Sequence, residues 1–172
     1  VINLSLGGSY DSQLLKDAVK QVHEEGVLIV ASAGNNDQSE LLYPAKYSEA
    51  IAVGAVNSVG ERASYSNYGP GLDVVAPGGD SYYGILSTYL EDEYAVKYGT
   101  SMAAPNVSGV ISLMLSSGIP SDEIVNKLYE SSIHPGEKDF SEILGYGLIN
   151  ANFLVNDLKR VKIVVGHRKR DK

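Results

Sequence analysis

Short apolar stretches, each followed by a polar or glycine-rich segment, recur along the first half of the chain. The stretch Val27–Ala31 is an uninterrupted apolar run, which is typical of a strand buried on both faces of a parallel sheet. Three other stretches have a similar character. The pattern therefore predicts four strands, at Val1–Leu6, Val27–Ala31, Ile51–Ala55 and Leu72–Ala76.

The segment between the first two predicted strands, Asp11–Glu25, has the spacing of an amphipathic helix. Its regularly spaced apolar residues are Leu14, Leu15, Ala18, Val19 and Val22. Asp11 is the predicted N-cap and Gly26 the predicted C-terminal stop. The order strand, helix, strand favours a right-handed βαβ unit, and hence an α/β fold in which helices cover a parallel sheet.

The second half of the chain predicts two more helices, Ala103–Ser116 and Ser121–Ser132. Ser121 is a good helix start because two acidic residues follow it in the first turn. The segment Gly79–Tyr98 is rich in Tyr, Asp and Gly, and it predicts a surface hairpin or loop. A last strand is predicted at Val161–Val165.

The composition narrows the classes of partner. The 172 residues are 44% hydrophobic and include no cysteine, so the chain can form one globular core but has no disulfide and no cysteine-ligated zinc. A net charge of -7 argues against nucleic acid as a partner, and no apolar run is long enough to span a membrane. The exception to the acidic character is the basic tail from His167 to Lys172, for which a solvated segment is expected.

The beginning of the chain is unusual for the start of a protein. Val1–Leu6 has the pattern of a strand, with no initiator Met, signal peptide or leading loop before it. We therefore expect the chain to be the later part of something longer.

The candidate chemistry centres on Ser101, within the segment Gly99–Asn106. Pro105 fits the first turn of a helix and an apolar run begins at Val107, so Ser101 is predicted at the N-terminus of a buried helix. A hydroxyl placed there can act as a nucleophile, and the N–H of the same residue can hold an oxyanion. The alternative is an N-cap serine, which needs no chemistry.

A second candidate, Asn35, follows the predicted strand Val27–Ala31. Ligands of open α/β sheets bind beyond the carboxyl ends of the strands, where the Asn35 amide could act as a donor. The sequence Gly34 to Asp37 is also typical of a plain turn, so both interpretations stay open at this point.

Four motifs in order resemble those of the subtilases, the subtilisin-like serine proteases. They are Ser5 to Gly8, Ala31 to Asn35, Tyr43 to Ala45 with Ile51 to Ala55, and Gly99 to Pro105. The resemblance implies a three-layer, parallel-sheet subtilisin-like fold, present here as a C-terminal portion of the catalytic domain. The predicted division is a partial catalytic domain at 1–155, followed by a C-terminal extension with a basic tail at 156–172.

The resemblance also implies roles for individual residues. Ser101 is similar to the nucleophile, Asn35 to the side-chain donor of the oxyanion hole, and Thr100 to a residue that supports that hole. Tyr43-Pro44 resembles a dipeptide that takes a cis bond. The predicted substrate-binding residues are Ser5, Leu6 and Gly7 on the strand that pairs with the peptide, and Ser32, Ala33 and Gly34 on one pocket wall.

The same resemblance implies the partners. The substrate is expected to be a polypeptide, the chemistry needs no cofactor, and the family resemblance allows a calcium ion. A further expected partner is the missing N-terminal part of the catalytic domain. A secreted or extracellular location is expected from the resemblance alone.

The chain departs from the family where a general base is required. The family's catalytic Asp and His lie before the Ser5 to Gly8 motif, and none of His23, His134 and His167 stands in a matching motif. A serine hydroxyl is a weak nucleophile without an adjacent base. The chain alone is therefore expected to be inactive.

Two other classes of function stay open from the sequence. One is a non-catalytic, subtilase-like module that only binds or packs. The other is an esterase of the α/β-hydrolase type with Ser101 on a nucleophile elbow, which would require glycine at the position of Ala103.

Overall fold

The computed structural model describes residues 1–135 and 140–152. The predicted strand Val161–Val165, the extension 156–172 and the basic tail lie outside the described residues. The predicted boundary at residue 155 is therefore a prediction that the structure does not test.

A four-stranded parallel sheet forms the centre of the fold, and all four predicted strands are confirmed. In the described residues the strands lie side by side in chain order, so β1 is at one edge. Their bounds are β1 (Ile2–Leu4), β2 (Ile29–Ser32), β3 (Ala50–Val56) and β4 (Val74–Pro77). An α/β fold with a parallel sheet is thus confirmed.

The first strand ends earlier than the sequence pattern predicts. β1 stops at Leu4 because the main chain beyond it turns towards the loop that holds Tyr43. There the Gly8 N–H donates to the Tyr43 carbonyl at 3.0 Å, and the Tyr43 N–H donates to the Gly8 carbonyl at 2.8 Å. The peptide bond between Tyr43 and Pro44 is cis, as the family resemblance implies.

The helix after β1 is α1 (Gln13–Glu24), and its N-cap is Ser12 rather than the predicted Asp11. The Ser12 hydroxyl accepts a hydrogen bond from the N–H of Leu15. The Asp11 carboxylate instead accepts from the Tyr47 hydroxyl at 2.8 Å, a contact that sequence pattern alone does not show.

The two later helices also differ from their predicted starts. They are α2 (Thr100–Ser116) and α3 (Ile124–Ser131), with Gly99 and Glu123 at their N-caps. The prediction that Ser121 starts α3 is therefore wrong, because a turn separates that residue from the helix. Pro105 lies inside α2 rather than in its first turn, because the helix begins at Thr100.

A hairpin lies between the sheet and α2, as predicted for Gly79–Tyr98. It consists of β5 (Ile85–Thr88) and β6 (Tyr94–Lys97), which pair antiparallel in a separate two-stranded sheet.

The inner strands β2 and β3 are buried on both faces, which explains their uninterrupted apolar runs, whereas β1 at the edge is largely exposed. Within β2, Val30 packs with α2 and α3, whereas Ile29 and Ala31 pack on the opposite side with Val19 of α1. The fold therefore has three layers, and α2 lies across the sheet on one face.

One partly buried polar contact joins the sheet to α3. The carboxylate of Asp73 accepts hydrogen bonds from the Ala52 N–H, at 2.7 Å, and from the Tyr129 hydroxyl. Burial raises the pKa of Asp73, although both hydrogen bonds favour its charged form. The ring of Tyr129 also stacks on that of Tyr146, with centroids 3.8 Å apart.

We expect Tyr129→Phe to lower the free energy of unfolding by about 1–3 kcal/mol, because it removes the hydroxyl that donates to one oxygen of the partly buried Asp73 carboxylate. Removal of a donor that favours the carboxylate raises the pKa of Asp73 further, so the loss should be largest at neutral pH. It should shrink towards about pH 4, as Asp73 becomes protonated. Urea unfolding at both pH values measures this.

Tyr146→Phe is the matched control for this experiment. The Tyr146 hydroxyl makes no hydrogen bond among the described residues, and a phenylalanine at this position keeps the ring that stacks on Tyr129. Equal losses in the two variants, or a loss in Tyr129→Phe that does not change with pH, would contradict the role given to the Asp73 contact.

Candidate active site

Ser101 is the second residue of α2 and lies at the edge of the sheet where the parallel strands end. Its N–H has no hydrogen-bond acceptor among the residues that the structure describes. Its hydroxyl lies 3.2 Å from the carbonyl oxygen of Ser5 and donates to it. The residue before the helix, Gly99, has a φ of 146°, a value that side chains rarely allow. Ser101 therefore presents a hydroxyl and an available N–H at a helix N-terminus.

Asn35 is held against the start of α2 by Thr100, which lies 65 residues away in sequence. The Thr100 N–H donates to the Asn35 side-chain oxygen at 2.9 Å, and the Thr100 hydroxyl donates to the same oxygen at 2.8 Å. Two donors on one atom assign that atom as the amide oxygen. The Asn35 NH₂ group consequently faces away from Thr100, and it makes no hydrogen bond within the described part of the chain.

The Thr100 side chain is itself fixed from behind. It is fully buried, and its hydroxyl oxygen accepts a hydrogen bond from the Gly34 N–H at 3.3 Å. The Gly34 N–H, the Thr100 hydroxyl and the Asn35 oxygen thus form one chain of hydrogen bonds. It links the end of β2 to the first turn of α2.

The segment Ser5-Leu6-Gly7 follows β1 and forms no ladder with another strand among the described residues. Ser5 and Leu6 are exposed, and the Leu6 carbonyl accepts from the Ser32 hydroxyl at 3.4 Å. A Cβ added to Gly7 would lie 3.0 Å from the Cβ of Leu42, so the main chain packs closely here. This segment runs directly beside Ser101, since Ser5 contacts that residue.

Ser32, Ala33 and Gly34 are all buried at the carboxyl end of β2. Gly34 has a φ of 117°, and a Cβ there would come within 2.5 Å of the Asn67 amide nitrogen. No other residue type fits this position without moving its neighbours. The three residues form a rigid floor that leads into Asn35.

A cavity of about 310 Å³ opens beside Ser101. The hairpin contributes Ile85, Leu86 and Ser87 to one wall. The other wall is α2, with Ser101, Met102, Pro105 and Asn106. This contribution of the hairpin to the site is not predicted from the sequence. No local signal marks β5 as a neighbour of Ser101, because the contact depends on how the hairpin folds back.

Tyr65 supports the loop that joins β4 to the hairpin. Its hydroxyl donates to the Gly79 carbonyl at 2.8 Å, and burial raises the pKa of Tyr65 to about 12, so the hydroxyl stays protonated at neutral pH. Its ring packs against that of Tyr98, with centroids 5.5 Å apart. The adjacent N–H of Gly99 donates to the Gly78 carbonyl at 3.0 Å, which ties this loop to the residue before α2.

The two described histidines lie away from Ser101. His23 is in the last turn of α1, which leads into the amino end of β2, whereas Ser101 lies at the carboxyl edge of the sheet. His134 follows α3 and lines a different cavity, beside Tyr129 and Tyr146. Neither imidazole is among the hydrogen-bond partners of the Ser101 hydroxyl.

The described residues contain neither a cluster of metal-ligating side chains nor a helix that could span a membrane. No group of three or more His, Cys, Asp or Glu side chains there is arranged to hold a metal ion. None of the described helices is long and apolar enough to cross a membrane.

Comparison with known proteins gives consistent matches. The chain matches the subtilase family, Peptidase_S8, over residues 1–147. It is 42% identical over 156 residues to subtilisin DY of Bacillus licheniformis, covering 87% of this chain and 54% of that protein. Subtilisin Savinase of Lederbergia lenta is 42% identical over 154 residues, with 88% and 54% covered. The chain thus spans about half the length of these relatives.

Solved structures agree with the sequence relatives. A protease from Pseudoalteromonas arctica matches with a TM-score of 0.79 and 32% identity, covering 90% of this chain and 50% of that one. The prenylagaramide maturation protease PagA matches with a TM-score of 0.76 and 28% identity, covering 91% and 61%. The layered parallel sheet, the helix that begins at Thr100 and these matches lead to one conclusion: the chain belongs to the subtilase family of subtilisin-like serine proteases.

Proposed function

We propose that this chain carries the nucleophile, the oxyanion hole and the substrate-pairing segment of a subtilisin-type serine endopeptidase. The observation that supports this most strongly is the pair of hydrogen bonds from Thr100 to the Asn35 oxygen. They leave the Asn35 NH₂ group as a donor beside the first turn of α2, where the Ser101 N–H is also available.

In the proposed reaction, the Ser101 oxygen attacks the carbonyl carbon of a peptide bond while a general base takes the Ser101 proton. Negative charge develops on the carbonyl oxygen, and the Ser101 N–H and the Asn35 NH₂ donate to it. The base gives the proton to the leaving amine as the C–N bond breaks, and water then releases the acyl group from Ser101. Thr100 acts as a positioning residue, because its own donors are used on Asn35. Fixed donors at a helix N-terminus need little reorganisation as the charge forms, which is why they lower the barrier.

The substrate is proposed to lie along Ser5-Leu6-Gly7 as an added strand. Main-chain pairing of this kind holds many sequences, so specificity comes from the pockets on either side. Gly7 and Gly34 are both packed closely against Leu42, so a side chain at either position would displace the segments proposed to contact the peptide. Ser32, Ala33 and Gly34 would form one wall of the pocket for the residue before the scissile bond.

The general base, with its orienting carboxylate, is proposed to come from a segment outside these 172 residues. Two observations support this: the Ser101 hydroxyl donates to a main-chain carbonyl, and His23 and His134 lie elsewhere in the fold. That segment would also give β1 a neighbouring strand.

The proposed chemistry needs no cofactor. A bound calcium ion is proposed only because the family resemblance allows one. An extracellular location is proposed from the same resemblance.

We expect the purified 172-residue chain to leave a chromogenic peptide uncleaved, because the oxyanion hole and binding without a base leave only about 10³–10⁴-fold catalysis over water. A complete protein that includes the upstream segment should cleave the peptide and should be labelled at Ser101 by a fluorophosphonate probe. Hydrolysis and labelling, with Ser101→Ala as the blank, measure both expectations.

Two outcomes would count against this proposal. Cleavage by the 172-residue chain that disappears in Ser101→Ala would mean that the chain contains its own base. A complete protein that is folded but neither labelled nor active would favour the non-catalytic binding module.

We also expect Asn35→Ala in the complete protein to lower kcat by about 10²–10³-fold with a small change in KM, because one oxyanion donor is lost. Asn36→Ala is the matched control, since Asn36 is exposed and its side chain makes no hydrogen bond to any described residue, while its main-chain N–H donates to the Asn67 side chain. Steady-state kinetics compare the two. An unchanged kcat in Asn35→Ala, or an equal fall in both variants, would remove Asn35 from the oxyanion hole.

A further inference from the structure

The carbonyl group of Ser101 lacks its usual helical partner. In an α-helix each carbonyl oxygen accepts from the N–H four residues later. Four residues after Ser101 is Pro105, which has no N–H to donate. The carbonyl oxygen of the proposed nucleophile therefore has no such N–H donor within α2.

The side chain of Ser5 supplies the missing donor. Its hydroxyl donates to the Ser101 carbonyl oxygen at 2.8 Å, across 96 residues of sequence. The Ser101 hydroxyl donates in return to the Ser5 carbonyl oxygen at 3.2 Å. The two serines are thus joined by a reciprocal pair of hydrogen bonds, one through each side chain.

The direction of the Ser5 hydroxyl is set by a third residue. The Asn3 NH₂ group donates to the Ser5 oxygen at 2.9 Å, which leaves the Ser5 proton for the Ser101 carbonyl. The Asn3 side-chain oxygen in turn accepts from the Ser108 hydroxyl at 3.0 Å, and the same hydroxyl proton is shared with the Ala104 carbonyl oxygen at 3.2 Å. A row of side chains, Ser108, Asn3 and Ser5, therefore runs between α2 and β1 and ends at Ser101.

We propose that Ser5 is a positioning residue for Ser101. Its hydroxyl takes the place of the N–H that Pro105 lacks and fixes the first turn of α2 against the substrate-pairing segment. This role rests on the proposed function, since it concerns how the nucleophile and its N–H are aimed. Without the Ser5 hydroxyl, the Ser101 carbonyl must bond to water, and the turn loses its tie to the segment that holds the peptide.

The test is a double-mutant cycle in the complete protein, because an alanine at 105 restores the helical donor. Ser5→Ala should lower kcat about fivefold to tenfold, the effect of losing one hydrogen bond, and should change KM by less than about twofold. In a Pro105→Ala background the Ala N–H can bond to the Ser101 carbonyl. The same Ser5→Ala change should then lower kcat by less than about twofold.

Two variants serve as controls. Ser5→Thr keeps the hydroxyl and should retain most of the wild-type kcat. Ser112→Ala removes a hydroxyl from the same helix that donates to the Ser108 carbonyl, at 2.7 Å, and it should leave kcat unchanged. If Ser5→Ala lowered kcat by disturbing β1 rather than by removing the donor to the Ser101 carbonyl, an added N–H at position 105 would not restore kcat.

An unchanged kcat in Ser5→Ala, or an equal fall in both backgrounds, would overturn the proposal. Where Ser5→Ala does not fold by circular dichroism, Asn3→Ala replaces it in the same cycle. We then expect a fall of about twofold to threefold that Pro105→Ala abolishes, and a fall equal in both backgrounds would overturn the proposal. Fluorophosphonate labelling of the unmutated protein separates the two ideas: no labelling means that the proposed function fails, whereas labelling with an additive cycle means that only the role of Ser5 fails.

Discussion

The buried hydroxyl of Thr100 occupies the point where the end of β2 meets the beginning of α2. It accepts from the Gly34 N–H and donates to the Asn35 side chain, so it ties together two loops that are distant in sequence. A buried hydroxyl without partners would be costly, and here both of its hydrogen-bonding functions are used. Together with the Thr100 N–H, this hydroxyl fixes which way the Asn35 amide faces, and the proposed oxyanion hole depends on that direction.

The parallel sheet makes such a contact feasible. Its strands all end at one edge, and α2 crosses one face with fully buried Ala103 and Ala104 near its start. Small residues there let the helix approach the strands closely. At the end of β2, Gly34 is packed closely against other loops, because a Cβ there would collide with Asn67 and Leu42. In the described residues, the site is therefore formed where main-chain segments of the sheet, its loops and α2 pack closely together, rather than by a large group of charged side chains.

Strands and helices with strong apolar patterns could be predicted from the sequence, and contacts between distant segments could not. The run Val27–Ala31 indicated a buried strand because both of its faces are covered. The apolar pattern predicts that α2 starts at Ala103, because the N-cap Gly99 and the first helical residue Thr100 carry no such pattern. The sequence predicts Asp11 as an N-cap because it does not show that Tyr47 binds the Asp11 carboxylate.

In the candidate site, too, the residues could be predicted from the sequence but the contacts between them could not. Ser101, Asn35 and Thr100 were recognisable from motifs, but the hydrogen bonds that orient them join residues 65 or more positions apart. The bond from Ser5 to the Ser101 carbonyl exists because Pro105 cannot donate, and that consequence is visible only once the helix is known to begin before Ser101. Local sequence determines which groups are available, whereas the packing of α2 on the sheet determines which of them meet.

The most direct test of this account is a crystal structure of the complete protein after reaction with a peptide aldehyde, whose adduct carries an oxygen like that of the tetrahedral intermediate. We expect the aldehyde carbon to be bonded to the Ser101 oxygen. Its own oxygen should lie about 2.7–3.1 Å from both the Ser101 main-chain nitrogen and the Asn35 amide nitrogen. An adduct on another residue, or an oxygen that points into solvent while the Asn35 NH₂ group bonds elsewhere, would contradict the account.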